Sequence, residues 1–168
     1  VSVNGKIVNE LGSKVDGNDT IEIDGQMLNT NSNKVYFLLN KPRGVISSSQ
    51  DDKGRTTVVD LIDTDKRIYP VGRLDYDTTG LIILTNDGII SNSLINGKNH
   101  IEKEYLVTVK EKITNDFIVN MSKSVVLRGK KTKECFVKQI NDFQFTIILT
   151  EGMYRQIRKM VKINGNFV

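Results

Sequence analysis

Turn-forming pairs cut this chain into short pieces. Asn4-Gly5 separates Val1–Val3 from Lys6–Val8, Asp16-Gly17 marks another turn, and Asp24-Gly25 follows the alternating Ile21 and Ile23. Farther on, Asn141-Asp142 lies between ECFVKQI and FQFTIILT. Asn-Gly and Asp-Gly pairs favour two-residue hairpins, whose central residues need positive φ. Links this short join antiparallel neighbours, because a parallel pair needs a crossover of about a dozen residues or more. Alternation with a period of two recurs in KVYFLLNK, where Val35, Phe37 and Leu39 share a face, and in EKEYLVTVK, where Tyr105, Val107 and Val109 do. Helical spacing is confined to a few segments. These are GIISNSLI after Asp87, ITNDFIVNMS with Ile113, Phe117, Ile118 and Met121 in phase, and YRQIRKMVKING. In the last, Ile157, Met160 and Val161 form the buried side and Gly165 closes the helix; TVVDLI adds one or two helical turns. The reading is an α+β protein with a mixed, largely antiparallel sheet and flanking helices.

A polar spacer, Asn29 to Asn33, divides the chain into an amino-terminal segment, 1–31, and a body, 34–168. Thirty residues of hairpin are too few to be stable alone, so the first segment reads as part of a small domain. Charge divides with it: residues 1–30 carry −3, and the rest carries +7 of the net +4. A basic body suggests a polyanionic partner such as nucleic acid, although a merely solvated basic surface is the plainer alternative. The single cysteine, Cys135, cannot form an internal disulfide, which points to a reducing, cytoplasmic setting. No apolar run approaches the roughly 20 residues of a membrane span. A first residue of valine reads as a processed or truncated product.

Several chemistries find no support. A lone His100 and a lone Cys135 offer no metal cluster, and Asp51-Asp52 reads as a solvated loop. No glycine-rich phosphate loop occurs, so no nucleotide cofactor is expected, and no nucleophile motif accompanies His100. Carboxylates and arginines remain. In VGRLDYDTTGLIILTNDG a loop crowded with charge and hydroxyls stands directly before the apolar run Leu81–Leu84, read as a buried strand. Asp75 follows Gly72-Arg73-Leu74, where glycine permits close backbone approach and leucine can anchor the loop. A carboxylate held at a sheet end serves as nucleophile or base once a partner fixes its charge. Arg155 and Arg158, about one helical turn apart, are suitable partners; a purely structural ion pair is the alternative.

These residues carry a resemblance. YPVGRLDYDTTGLIILTNDG resembles the catalytic motif of the RsuA family of ribosomal RNA pseudouridine synthases. That group has A-type enzymes for small-subunit RNA and B-, E- and F-type enzymes for large-subunit RNA. LLNKPRGVISS is similar to the family's first motif, EKEYLV to its tyrosine motif and EGMYRQIRKM to its arginine motif, in family order over about 34 to 165. The amino-terminal segment resembles the strand half of an S4 RNA-binding domain. The resemblance implies the pseudouridine synthase fold with a central cleft, ribosomal RNA as partner, no cofactor, no metal, and a monomer. It makes Asp75 the catalytic carboxylate, Tyr105 the ring that stacks on uracil and assists proton movement, and Arg158 the partner of Asp75. Ile157 becomes the apolar wall under the base. Arg155 and Lys159 are expected on phosphate, as are Arg73, Lys41 and Arg43, or else one of these fills the place of the flipped base. An Arg73–Asp77 salt bridge is the alternative for Arg73.

Asn96-Gly97 departs from the His-Pro pair that family members often show before the tyrosine motif. The resemblance also implies a truncated S4 segment without its helices and a catalytic domain clipped at its carboxyl end. The substrate reading leans to large-subunit ribosomal RNA. Three rivals stand beside it: the same activity on small-subunit RNA, a ribosome-associated RNA-binding protein without catalysis, and a glycosidase-like hydrolase using Asp75 and Asp77 as an acid–base pair.

Overall fold

The computed structural model describes residues 1–28 and 33–168. The proposed spacer therefore lies, except for Asn33, outside the described residues. The chain forms two compact units, Val1–Lys34 and Val35–Val168. In the first, β1 (Ser2–Val3), β2 (Lys6–Ile7), β3 (Ile21–Ile23) and β4 (Gln26–Met27) form a four-stranded sheet in the order β2-β1-β3-β4. Both hairpins turn at the Asx-Gly pairs, with Val3 opposite Lys6 and Ile23 opposite Gln26.

The second unit holds two three-stranded sheets, in which every ladder is antiparallel. The first comprises β5 (Tyr36–Lys41), β6 (Tyr69–Val71) and β7 (Gly80–Thr85), with β7 in the middle. Its core is Val45, Val58, Ile68, Ile82 and Leu84, with Val35, Phe37, Leu39 and Leu74 packed against it. Leu81–Leu84 is half-buried rather than fully buried. Leu84 is enclosed while Leu81 is 69% exposed, because only one face of this sheet is covered. The 57–62 segment supplies a single short 3-10 turn, Val59–Leu61. Helix α1 (Gly88–Ile95) follows, and the Asp87 carboxylate caps it by accepting from the backbone N–H groups of Ile89 and Ile90.

The second sheet is built from β8 (Lys103–Thr108), β11 (Phe136–Asn141) and β12 (Gln144–Leu149), with β12 in the middle. Between β8 and β11 come α2 (Asn115–Ser122) and the small hairpin β9 (Val126–Leu127) and β10 (Lys130–Lys131). Helix α3 (Gln156–Ile163) ends the fold. Phe117, Met121, Phe145, Ile147, Met160 and Val161 fill this core, where Phe117 meets Phe145 edge-on at 5.6 Å. The β11–β12 turn centres on Asp142 and Phe143, one residue beyond the expected pair, because Asn141 pairs with Gln144. The α+β reading matches this architecture.

Candidate active site

Asp75 sits in the loop between β6 and β7. Two glycines frame that loop, Gly72 at φ +81° and Gly80 at φ +135°, conformations that a side chain would strain. A Cβ on Gly72 would also meet Ile95 of α1 at 3.7 Å. Within the loop the Thr78 N–H donates to the Asp75 carbonyl at 3.0 Å.

The segment after β5 holds this loop from the side. Ser47 Oγ donates to the Leu74 carbonyl at 2.9 Å and accepts from the Leu74 N–H at 3.0 Å. The Gly44 N–H donates to the Tyr76 carbonyl, and Arg43 Nε donates to that of Asp77. Lys41 is fully buried, and its Nζ donates to the carbonyls of Pro42 at 2.8 Å, Val45 at 2.9 Å and Tyr76 at 3.5 Å. The expected phosphate contact by Lys41 is therefore corrected: an ammonium without exposed surface cannot meet a phosphate. Burial pushes its pKa below the ordinary lysine value, against the opposing pull of Asp77 and Asp75. The signal was present in the sequence. Val35, Phe37, Leu39 and Lys41 share one strand parity, and that face is the inner one.

The expected ion pair between Arg158 and Asp75 is also corrected. Arg158 Nη2 stands 3.1 Å from Asp77 Oδ2, and Arg155 Nη1 stands 3.4 Å from Asp77 Oδ1. Asp77 thus has both arginines, and the alternative Arg73–Asp77 bridge does not form. Arg155 reaches this position from a left-handed backbone (φ 52°) at the start of α3, so its side chain and that of Arg158 converge on one carboxylate. Burial works to raise the Asp77 carboxyl. Its own backbone N–H, Arg158 and Arg155 outweigh burial and hold it below the usual carboxylate range. Arg73 is exposed, and its side chain makes no ion pair or hydrogen bond among the described residues.

The Asp75 carboxylate likewise has no hydrogen bond or ion pair among the described residues, although it is half-buried. Its charge is felt by Tyr105, Lys41 and Lys159. Tyr105 is half-buried on β8 against the second core, and burial first, then Asp75, raises its hydroxyl above the ordinary tyrosine pKa. Ile157 packs partly buried against the same core, and Lys159 Nζ donates to the Tyr154 carbonyl. The structure thus places Asp75, Asp77, Arg155, Arg158, Tyr105 and Lys159 in one electrostatic neighbourhood. An unpaired carboxylate, Asp75, thus stands two residues from one held by two arginines, Asp77.

Among the described residues no cluster of His, Cys, Asp and Glu could hold a metal ion, and no helix is long and apolar enough to cross a membrane.

Residues 35–162 match the RNA pseudouridylate synthase family. The chain belongs to that family. It is 44% identical over its full length to the ribosomal large subunit pseudouridine synthase B of Bacillus subtilis (strain 168), covering 71% of that protein. Ninety-eight per cent of the chain aligns at 42% identity with the dual-specificity RNA pseudouridine synthase RluF of Escherichia coli (strain K12), spanning 57% of that protein. Identity to the ribosomal small subunit pseudouridine synthase A of the same strain is 34% over the full chain and 74% of that relative. A crystal structure of a pseudouridylate synthase superposes with a TM-score of 0.78 at 32% identity, covering 99% of this chain and 73% of its own. The family accounts for the α+β architecture and for the order of the four motifs.

Proposed function

We propose that this protein converts a uridine of ribosomal RNA to pseudouridine, with Asp75 as the catalytic carboxylate. The observation that carries this reading is the unpaired Asp75 on a loop fixed by Ser47, Gly44, Arg43 and Lys41. A carboxylate held still and left unoccupied is preorganised for attack or assistance at a sugar C1′. In the reaction the N1–C1′ bond breaks, the base turns, and a C5–C1′ bond forms. One proton leaves C5 and one arrives at N1, so nothing is oxidised and no atom is added. Tyr105, protonated at neutral pH, lies within the field of Asp75 and serves as stacking partner and proton carrier. Ile157 is the apolar wall under the base, and Arg158 with Arg155 fixes the neighbouring Asp77. The target base must leave its stack, at a cost of a few kcal/mol. Arg73, exposed and unpaired among the described residues, is the candidate that meets phosphate or fills the vacated place.

The names of the synthase B and RluF relatives favour large-subunit RNA over small-subunit RNA. A monomer acting on ribosomal RNA in the cytoplasm is part of the same proposal. Residues 1–31 are proposed as an S4-type RNA-binding segment, on the strength of their short strands and Asx-Gly hairpins. The hydrolase rival is disfavoured, because a carboxylate held ionised by two arginines is a poor proton donor.

Asp75→Asn decides the reading. The amide keeps the shape but cannot act as nucleophile or base, so pseudouridine formation on ribosomal RNA transcripts should fall below detection while RNA affinity persists. Turnover by a folded Asp75→Asn protein would remove Asp75 from the chemistry.

A further inference from the structure

The hairpin between β9 and β10 breaks a rule that the same chain follows elsewhere. At Asn4-Gly5 (φ 51° and 73°) and Asp24-Gly25 (φ 50° and 80°) the two-residue turn uses the residues that tolerate left-handed backbone. Between Leu127 and Lys130 the same geometry, φ 52° and 77°, is occupied by Arg128-Gly129. Arginine gains nothing from that backbone, so its side chain is the feature to explain. It lies over the ring of Tyr154, its guanidinium carbon 5.4 Å from the centroid. Lys159 Nζ lies over the same ring at 5.0 Å. Tyr154 is nevertheless 63% exposed, immediately before the arginine that holds Asp77.

The surroundings carry no compensating carboxylate in sequence. Residues 123–133 hold five cations and residues 154–162 hold four, with no Asp or Glu in either stretch. Lys159 is held below the ordinary lysine pKa by desolvation first, and then by Arg128 and Arg155. Arg155, next to Tyr154, pairs with Asp77 at 3.4 Å, so this face adjoins the loop that carries Asp75. An exposed aromatic ring flanked by cations is how single-stranded nucleic acid is held: bases stack on the ring while cations follow the backbone.

We propose that Tyr154, with Arg128, Lys130, Lys131, Lys159 and Lys162, forms a docking platform for a single-stranded stretch of RNA next to the target uridine. One base stacks on Tyr154, and the cation it displaces from the ring is left beside a phosphate. This deepens the proposed function and rests on its RNA substrate.

The test is fluorescence anisotropy with a fluorescein-labelled single-stranded 12-nucleotide oligouridine and an RNA duplex of equal length, using the full chain. Tyr154→Ala should weaken binding of the single strand about tenfold, while Tyr154→Phe stays close to wild type, since stacking needs the ring and not the hydroxyl. The triple variant Arg128→Ala/Lys130→Ala/Lys131→Ala should lower the salt-dependence slope by about 2, or roughly 0.7 for each lost phosphate contact on a single strand. Wild-type affinity in Tyr154→Ala, or an equal loss on the duplex, overturns the platform. Should Tyr154→Ala fail to fold, an unchanged slope in the triple variant overturns it instead. Binding that depends on Tyr154 in a protein that makes no pseudouridine would sink the catalytic reading and leave the platform standing.

Discussion

Two aspartates two residues apart have opposite fates. Asp75 is left without a partner among the described residues, whereas Asp77 holds two arginines on one carboxylate. Asp77→Asn should therefore keep RNA binding within a few-fold but lower turnover about ten- to a hundredfold, because Arg158 and Arg155 lose their anchor beside the reacting base. Single-turnover rates at saturating RNA check this; an unchanged rate would make the pairs architectural only. The same variant has an acid signature. A carboxyl held below its unfolded value, about 3.9, stabilises the fold above that pH and loses the contribution as pH falls through its lower folded value. Both ion pairs are about one-third exposed, so solvent screens them and the effect is at most ~1 kcal/mol. Melting temperatures between pH 5 and 2 should fall less steeply for Asp77→Asn than for wild type. Tyr105→Phe removes the hydroxyl but keeps the ring, so RNA affinity should survive better than turnover. Normal turnover in Tyr105→Phe would assign proton movement to another group.

At the level of elements, the segment 41–47 acts as a brace for the loop that carries Asp75, and Ser47 is its most specific contact. Its hydroxyl satisfies both the N–H and the carbonyl of Leu74, one residue from Asp75. Ser47→Ala strands both groups and should cost about 1–3 kcal/mol in urea unfolding, with a larger proportional loss in turnover than in RNA affinity. How much of this was legible follows from what kind of signal each element carries. Helices α2 and α3 and the strands around Val35–Leu39 and Tyr105–Val109 were readable because period and burial agree there, whereas α1 buries only Ser91 and leaves Ile89, Ile90 and Ile95 exposed. Lys41 was misread for chemical reasons: a lysine beside Pro-Arg-Gly suggests phosphate, yet its parity puts it inside, where three carbonyls receive its ammonium. The β9–β10 hairpin escaped notice because Arg128-Gly129 lacks the Asx residue that announces such turns. The choice of Asp77 over Asp75 by the arginines was not legible at all. Spacing along a loop does not say which carboxylate faces a helix some 80 residues later in the chain.

For the whole molecule the informative quantity is the distribution of charge. The first 30 residues carry −3 and the remainder +7, so electrostatic attraction to RNA belongs to the body. Both hydrophobic cores also lie in the body, whereas the first unit contributes a small sheet with Ile7 and Met27 exposed. A protein lacking residues 1–33 should therefore fold, bind RNA with nearly the same salt dependence, and bind it slightly more tightly at low salt, because an acidic segment has been removed. If the first unit is the S4-type segment proposed above, its contribution is selection among sites. The shortened protein should then modify a wider set of uridines in a ribosomal RNA transcript, or lose its preferred one, at similar overall affinity. Mapping pseudouridines on one transcript treated with each protein, beside parallel salt titrations, separates the two contributions. A tenfold loss of affinity with a shallower salt slope would mean that the first unit itself touches phosphate. Identical maps and identical slopes would mean that the body alone both holds the RNA and finds its uridine.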